Sequence, residues 1–291
     1  MKFIHIPFIA TLALSSAHMV SAQGEHMALP HTVNAGSAFS IPTAGTGNAV
    51  LYIVGPGQAL RREVQLGEAT SFAKGVLYGS GHYVALLATG TASETGEFDV
   101  VPAPEPATLG FLAKPSRLPV GSHNGISGAL YVFDAYQNLI MTPLPTSLEL
   151  SDSSGVIKTR SVMTRNGLAW AEMDSAAKEG RAKFIARVGT VSSTRVIDQV
   201  PGDPCRLTII AHPANGKVHV ETAPVRDCSG NAVPDGTIVT FSETVNSIQS
   251  TVDVPIKRGI ATVEMPAYEG GKISVACGVV AGNEIRWSQG R

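Results

Sequence analysis

Three cysteines, Cys205, Cys228 and Cys277, all fall in the last third of a 291-residue chain. A thiol can attack as a nucleophile, ligate zinc or close a disulfide. No C-x-x-C pair occurs and no histidine stands at ligand spacing from a cysteine, so a zinc site is not expected. The odd count leaves one thiol free or paired between molecules. Beyond residue 22 the histidines are His26, His31, His82, His123, His212 and His219, scattered with no close pair. Solvent-exposed or hydrogen-bonded roles suit them better than catalysis. Serine has no G-x-S-x-G elbow: Gly79-Ser80-Gly81 and Gly125-Ile126-Ser127-Gly128 read as turns. A phosphate loop and a dinucleotide fingerprint are also missing. No enzyme and no cofactor are expected.

Two carboxylate–amide pairs remain, Asp134 with Asn138 and Asp227 with Asn231. They are candidate oxygen ligands for calcium, which needs roughly six to eight oxygens. Each pair offers two side chains plus carbonyls, so a structural turn is the better reading and no metal is expected. An Asp at the end of a strand accepts from amides two residues on and closes an Asx-turn. Gly230 and Asn231 tolerate positive φ. Pro234-Asp235-Gly236 then turns the chain into Thr237–Phe241. The segment predicts a corner between two strands in opposite sheets.

The elements that hold these corners are almost all strands. Val218, Val220 and Thr222 alternate with Lys217, His219 and Glu221, the period-2 pattern of a strand with one wet face. Ile126, Gly128, Leu130 and Val132 alternate likewise, as do Ile273, Val275, Cys277 and Val279. Residues 49–54 and 83–88 are more continuous apolar runs, and Ala281-Gly282-Asn283 reads as a turn. The best helix candidate is residues 174–179, one or two turns. Trp170 lies in an alternating strand and is expected in the core; Trp287, near the C-terminus in the last strand, is expected in the core, with a sticky edge for a partner as the alternative. Tyr83, at the start of a late strand, is placed for a tyrosine corner, its hydroxyl bonding upstream backbone.

Pro102-Ala103-Pro104-Glu105-Pro106 and Val200-Pro201-Gly202-Asp203-Pro204 interrupt any sheet, because proline fixes φ and lacks an amide donor. They divide the chain into residues 23–103, 107–200 and 204–291. The units repeat: Gly75, Gly167 and Gly259, each followed by two apolar residues, stand 92 residues apart. A period that long means tandem domains rather than a solenoid. Units of this size, rich in strands, predict an all-β chain of three tandem sandwiches.

Val225-Arg226-Asp227-Cys228-Ser229-Gly230-Asn231-Ala232-Val233-Pro234 resembles the strand-corner signature of bacterial Ig-like domains of the invasin and intimin type. Residues 126–150 resemble a weaker copy, with Gln137 in place of the glycine. The resemblance covers about residues 107–291; the first unit lacks the corner and joins on period and pattern alone. It implies immunoglobulin-like sandwiches acting as rigid spacers at bacterial surfaces. The outer-membrane barrel and lectin-like tip of such adhesins are absent, so adhesion does not follow from the resemblance.

A disulfide is expected within the last unit. Cys205 should open its first strand, on the same alternating face as Leu207 and Ile209, and Cys228 should follow its second. Adjacent antiparallel strands bring two such α-carbons into roughly the 4.4–6.8 Å range of a bridge. Cys205–Cys228 is favoured, with Cys277, pointing inward from a late strand, as competitor for either.

The N-terminus indicates export. Lys2 precedes an apolar run from Ile6 to Leu14, and Val20-Ser21-Ala22 ends a stretch of small residues, the layout of a cleavable signal peptide over residues 1–22. The run is too short to span a bilayer. Gln23, rather than cysteine, follows the cleavage point, so no lipid anchor is indicated. No further apolar stretch of spanning length follows. The formal net charge of −1 lacks the field that would collect nucleic acid or anionic lipid. The expected product is an exported, periplasmic or surface, non-catalytic Ig-like structural or interaction module. Its partner would be an envelope or surface protein or a glycan. A carbohydrate- or peptide-binding module using sandwich-end loops or an edge strand is the alternative. Intact-mass measurement after production in a secreting host should show loss of residues 1–22, whereas an uncleaved cytosolic product would refute export.

Overall fold

The computed structural model describes residues 27–90 and 92–288. The signal peptide expected over residues 1–22, and His26, lie outside the described residues. The chain forms two compact units: one up to Val33 with Ser37–Val101, the other from Pro102 onward with Asn34–Gly36.

The first unit is built on a five-stranded sheet in the order Thr32–Asn34, Ser93–Val101, Gly81–Ala88, Asn48–Gly55, Gln58–Gln65. A pair of short strands, Phe39–Pro42 and Ala69–Phe72, supplies a second layer. Alternation explains the core: Ala49, Leu51 and Ile53 point inward from one strand, and Tyr83, Ala85 and Leu87 from its neighbour. Phe72 stacks on Phe39 at 4.6 Å between ring centroids. The Tyr83 hydroxyl donates to the Gly79 carbonyl at 2.9 Å and lies 3.0 Å from Gln58 Oε1. That oxygen also accepts the Tyr78 and Gly79 amides. A buried ring that carries a polar tip is tolerable because the tip is paired in this way.

The second unit holds two separate hydrophobic cores. Around the first, the sheet Leu168–Met173, Ile126–Phe133, Thr108–Lys114 faces a five-stranded sheet. The latter runs Ile157–Met163, Pro145–Ser151, Gly180–Val188, Val191–Val200 and, in parallel at the edge, Arg117–Pro119. Leu130, Val132, Leu148, Phe184 and Ile197 fill the space between them. Gly128 is needed there, because a Cβ would sit 2.7 Å from the Phe184 ring.

Around the second core, Ile209–Ala214, Lys217–Thr222 and Thr262–Pro266 face the sheet Ile248–Pro255, Ile238–Val245, Lys272–Cys277, Val280–Arg286. Pro204–Arg206 pairs with Arg226–Asp227 at one end. Val218, Val220, Val239, Phe241 and Ile273 are fully buried.

Several sequence expectations are corrected here. Residues 174–179 form no helix. Their backbone is held by tertiary partners instead: the Ser175 amide donates to Ser122 O, and the Ala176 amide to Gln199 Oε1. Six residues are also too few for a self-supporting helix. Val279 does not extend the alternation of Ile273, Val275 and Cys277: it sits 96% exposed in the tight turn with Gly278, where the chain reverses. Ala281-Gly282-Asn283 is strand rather than turn. Gly282 fits because the Val275 side chain and the Leu207 carbonyl occupy the place of a Cβ, at 2.4 and 2.7 Å. Trp170 is 56% exposed, on the outer face of its strand, while Ala169, Ala171 and Met173 point inward. Cys205 faces solvent and is not on the face of Leu207, because a register irregularity falls between Pro204 and Arg206.

Period-2 geometry carries one charged group into the interior. Val239, Phe241 and Glu243 share a face of Ile238–Val245, and Glu243 is 2% exposed with neither carboxylate oxygen hydrogen-bonded among the described residues. Burial raises its pKa above the ordinary range. A folded-state pKa above the unfolded one favours folding only while the group is protonated. That contribution is complete below the ordinary carboxylate value of about 4.3 and is lost as pH rises through the raised value. Glu243→Gln should therefore stabilise the protein at pH 7 by about 1–3 kcal/mol, read by thermal unfolding, with the gain vanishing below about pH 4. An unchanged or lowered unfolding temperature at pH 7 would show the carboxylate to be paired.

Candidate functional site: the two aspartate corners

Asp134 ends the strand Ile126–Phe133, and Asp227 ends the short strand Arg226–Asp227. Both are buried. Asp227 Oδ1 accepts the Ser229 amide at 2.9 Å and the Asn231 amide at 2.8 Å; Oδ2 accepts Asn231 Nδ2 at 2.9 Å. Asp134 repeats the arrangement, with the Tyr136 and Asn138 amides on Oδ1 and Asn138 Nδ2 on Oδ2, each at 2.8 Å. The Asp227 amide donates to Asn231 O, and the Asp134 amide to Asn138 O, both at 3.0 Å. Gly230 and Gln137 hold the same left-handed position, φ 84° and 66°. Glycine takes that conformation without strain, and Gln137 is the costlier solution.

Each carboxylate also captures the proline-rich segment that precedes its core. The Ala103 amide donates to Asp134 Oδ2 at 2.9 Å, and the Gly202 amide to Asp227 Oδ2 at 3.0 Å. Both amides belong to the proline-rich segments, where few donors exist. The linkers are therefore fastened to the corners. Asn231 extends the second corner: Nδ2 donates to Ala177 O at 2.9 Å, and Oδ1 accepts the Glu179 amide at 3.3 Å. This ties residues 177–179 to the corner of the following core.

Neighbouring turns complete the frame. Asn166-Gly167 and Arg258-Gly259 are paired left-handed turns. Gly259 O accepts the Val225 amide at 2.8 Å, and Gly167 O the Val132 amide at 3.3 Å. A Cβ on Gly167 would lie 2.5 Å from Leu139, so the glycine signature and the first corner meet directly. Cys228 follows Asp227 and is joined to Cys205 by a disulfide, Cα–Cα 4.7 Å, exposed at the surface. Cys277 is a buried free thiol, its pKa raised chiefly by burial.

The electrostatics follow from these contacts. Burial alone would raise the Asp227 pKa. Hydrogen bonds from the Asn231 side chain and from the Gly202, Asn231 and Ser229 amides outweigh it and hold the carboxyl below the ordinary range. Asp134 is lowered in the same way, against burial, by Asn138, Ala103 and Tyr136. The oxygens of both aspartates point at N–H donors, a geometry that organises backbone and leaves little for a cation. Among the described residues no three His, Cys, Asp or Glu side chains cluster as a metal site. His82 bridges Glu97 and Asp99, and His123 pairs with Asp174, all at the surface. No helix among the described residues is long and apolar enough to cross a membrane.

Sequence reasoning missed the linker amides, the contact of Asn231 with residues 177–179, and Asn283. The Asn283 side chain pairs with both the amide and the carbonyl of Ile209, at 2.7 and 3.2 Å, substituting for a strand partner. No local pattern signals these bonds, since each partner lies 25 or more residues away in sequence.

The sheets and corners define an all-β protein with a β-sandwich fold distantly resembling bacterial Ig-like adhesin domains. No protein-family profile and no curated protein matches the chain in sequence. In fold it is similar to the solved structure of FdeC, described as a broadly conserved Escherichia coli adhesin. The TM-score is 0.58 at 14% identity, over 89% of this chain and 95% of that one. A second similar structure is invasin, described as a bacterial integrin-binding protein, with TM-score 0.44 and 13% identity over 86% of this chain and 56% of that one.

Asp227→Ala should destabilise the fold by about 2 kcal/mol, because several buried amides lose their acceptor together. It should also speed proteolytic cutting within residues 200–204. The lowered pKa values of Asp134 and Asp227 give stability that is complete above the unfolded value of about 3.9 and is lost as pH falls below it through the lowered folded-state values. Acid unfolding monitored by circular dichroism should accordingly be shallower in the variant. Unchanged thermal unfolding and unchanged cutting would show that the carboxylate does not hold the linker.

Proposed function

We propose that this chain is an exported, non-catalytic structural or interaction module of a bacterial envelope or surface. It consists of three Ig-like sandwiches, residues 23–103, 107–200 and 204–291, behind a cleaved signal peptide of residues 1–22. The observation that carries the reading is the repeated corner, in which a buried carboxylate binds the linker that leads into its own domain. Such fastening orders the segment that leads into each core, which is what a spacer or display element needs. The likeness in fold to a bacterial adhesin, the disulfide and the secretory N-terminus support the same reading. The disulfide suits an oxidising compartment outside the cytosol. The partner is a surface protein or glycan.

Fractionation of cells producing the full chain should place the mature protein in the envelope or medium. Single-molecule extension should then give three unfolding events. Mature protein confined to the cytosol would overturn the placement, and one cooperative event spanning residues 107–288 would overturn the division.

A further inference from the structure

The sheet of Leu168–Met173, Ile126–Phe133 and Thr108–Lys114 buries one face and leaves the other bare. Strand register fixes what lies on that outer face. One row across the three strands is Trp170, Ala129, Leu112; the next is Leu168, Tyr131, Gly110; on the other side lies Glu172, Ser127, Lys114. Trp170 and Leu112 are more than half exposed, and Leu168 and Tyr131 are each 37% exposed. Two aromatic rings and two leucines thus form one contiguous apolar patch beside a charged row. Soluble proteins seldom expose such a patch without a use for it.

The fold does not require it. The corresponding sheet around the second core of this unit has the same strand order, and its glycine turn lies 92 residues on. There the row matching Trp170, Ala129, Leu112 is Thr262, Glu221, Ile210. The row matching Glu172, Ser127, Lys114 is Glu264, His219, His212. One frame therefore carries a charged face in one place and an aromatic face in the other, so the apolar residues answer to something outside the frame.

We propose that this face is a two-fold interface between two copies of the chain. Charge selects the partner and the axis. Lys114 and Glu172 stand in one row on opposite edge strands, two strand spacings or roughly 10 Å apart. A two-fold axis parallel to the central strand, set between two facing sheets, exchanges the edge strands and keeps each row at its own level. Lys114 then meets Glu172 of the second copy, twice. The same operation lays Leu112 on Trp170 of the second copy and sets the bare Gly110 opposite Leu168, a small residue against a large one. Tyr131 meets its own counterpart. An axis perpendicular to the strands in the sheet plane pairs none of the charges. Sheets facing in this way pack about 10 Å apart with strands roughly aligned, and self-complementarity of one patch is what a closed dimer requires.

Sedimentation velocity on the full mature chain, from about 1 to 100 µM, tests the proposal. The expected result is a monomer–dimer equilibrium, with Trp170 emission shifting to shorter wavelength as dimer forms. Trp170→Thr, which installs the residue of the matching sheet, should weaken association at least about ten-fold, and so should Glu172→Lys. Adding Lys114→Glu to Glu172→Lys should restore it to within about three-fold, the signature of a direct pair. All these side chains are exposed, and unchanged circular dichroism confirms that the variants fold. A monomer at every concentration, a dimer indifferent to Trp170→Thr, or a double variant no better than Glu172→Lys would each overturn the interface. So would a monomer whose Trp170 emission responds to oligosaccharide, which assigns the face to a glycan.

Discussion

A carboxylate that gathers backbone amides from two directions is the constraint on which the second unit depends. Asp227 collects its own turn through Ser229 and Asn231 and the incoming linker through Gly202. Asp134 does the same through Tyr136, Asn138 and Ala103. A chain that crosses from one sheet of a sandwich to the other must leave amides unpaired at the crossing, and a proline-rich linker has few amides with which to pair anything. One buried anion resolves both difficulties. Hydrogen bonds to a charged acceptor are stronger than neutral ones, so the arrangement tolerates desolvation of the carboxylate, and its lowered pKa is the record of that balance.

Much of this was legible in the sequence because the corner is local. Asp, a left-handed position and Asn fall within five residues, and each type has a reason to be there. Gln137 shows why the weaker copy could still be read: the backbone demands positive φ, and glycine is only its least strained occupant. Long-range partners were not legible. That Asp227 would meet Gly202, or that Asn231 would reach Ala177, depends on how the chain returns in three dimensions. Trp170 misled for a different reason. Its strand carries Ala169, Ala171 and Met173 inward and Leu168 and Trp170 outward, so the largest side chain argued for the wrong face; periodicity finds two faces but does not say which is wet. The helix expected at residues 174–179 failed because Ser122 and Gln199 had already claimed its amides.

The two cores of the second unit separate what the frame needs from what a surface does. Both keep the corner, the glycine turn and the inward alternation of apolar residues. They differ on the outward face of the same three strands, where Trp170 and Ala129 are answered by Thr262 and Glu221. Function in repeated sandwiches resides in such differences, since the shared residues are accounted for by folding alone.

Polar satisfaction is uneven within the last sandwich, and the unevenness has a direction. At the corner end, Asp227, Asn231, Asp235 and Thr222 are each hydrogen-bonded, and the disulfide closes the same end. Ile238–Val245 runs away from that end and delivers Glu243 to the other, beside Gly271. There the backbone of Trp287 pairs with Gly270 and Gly271, yet its indole N–H, like the carboxylate of Glu243, has no partner among the described residues. Buried polar groups without partners lower local stability where they sit, and cooperative opening starts where stability is least. The fastened end is the one that meets residues 200–204, so the unpaired polar groups of this sandwich are confined to the end remote from that segment.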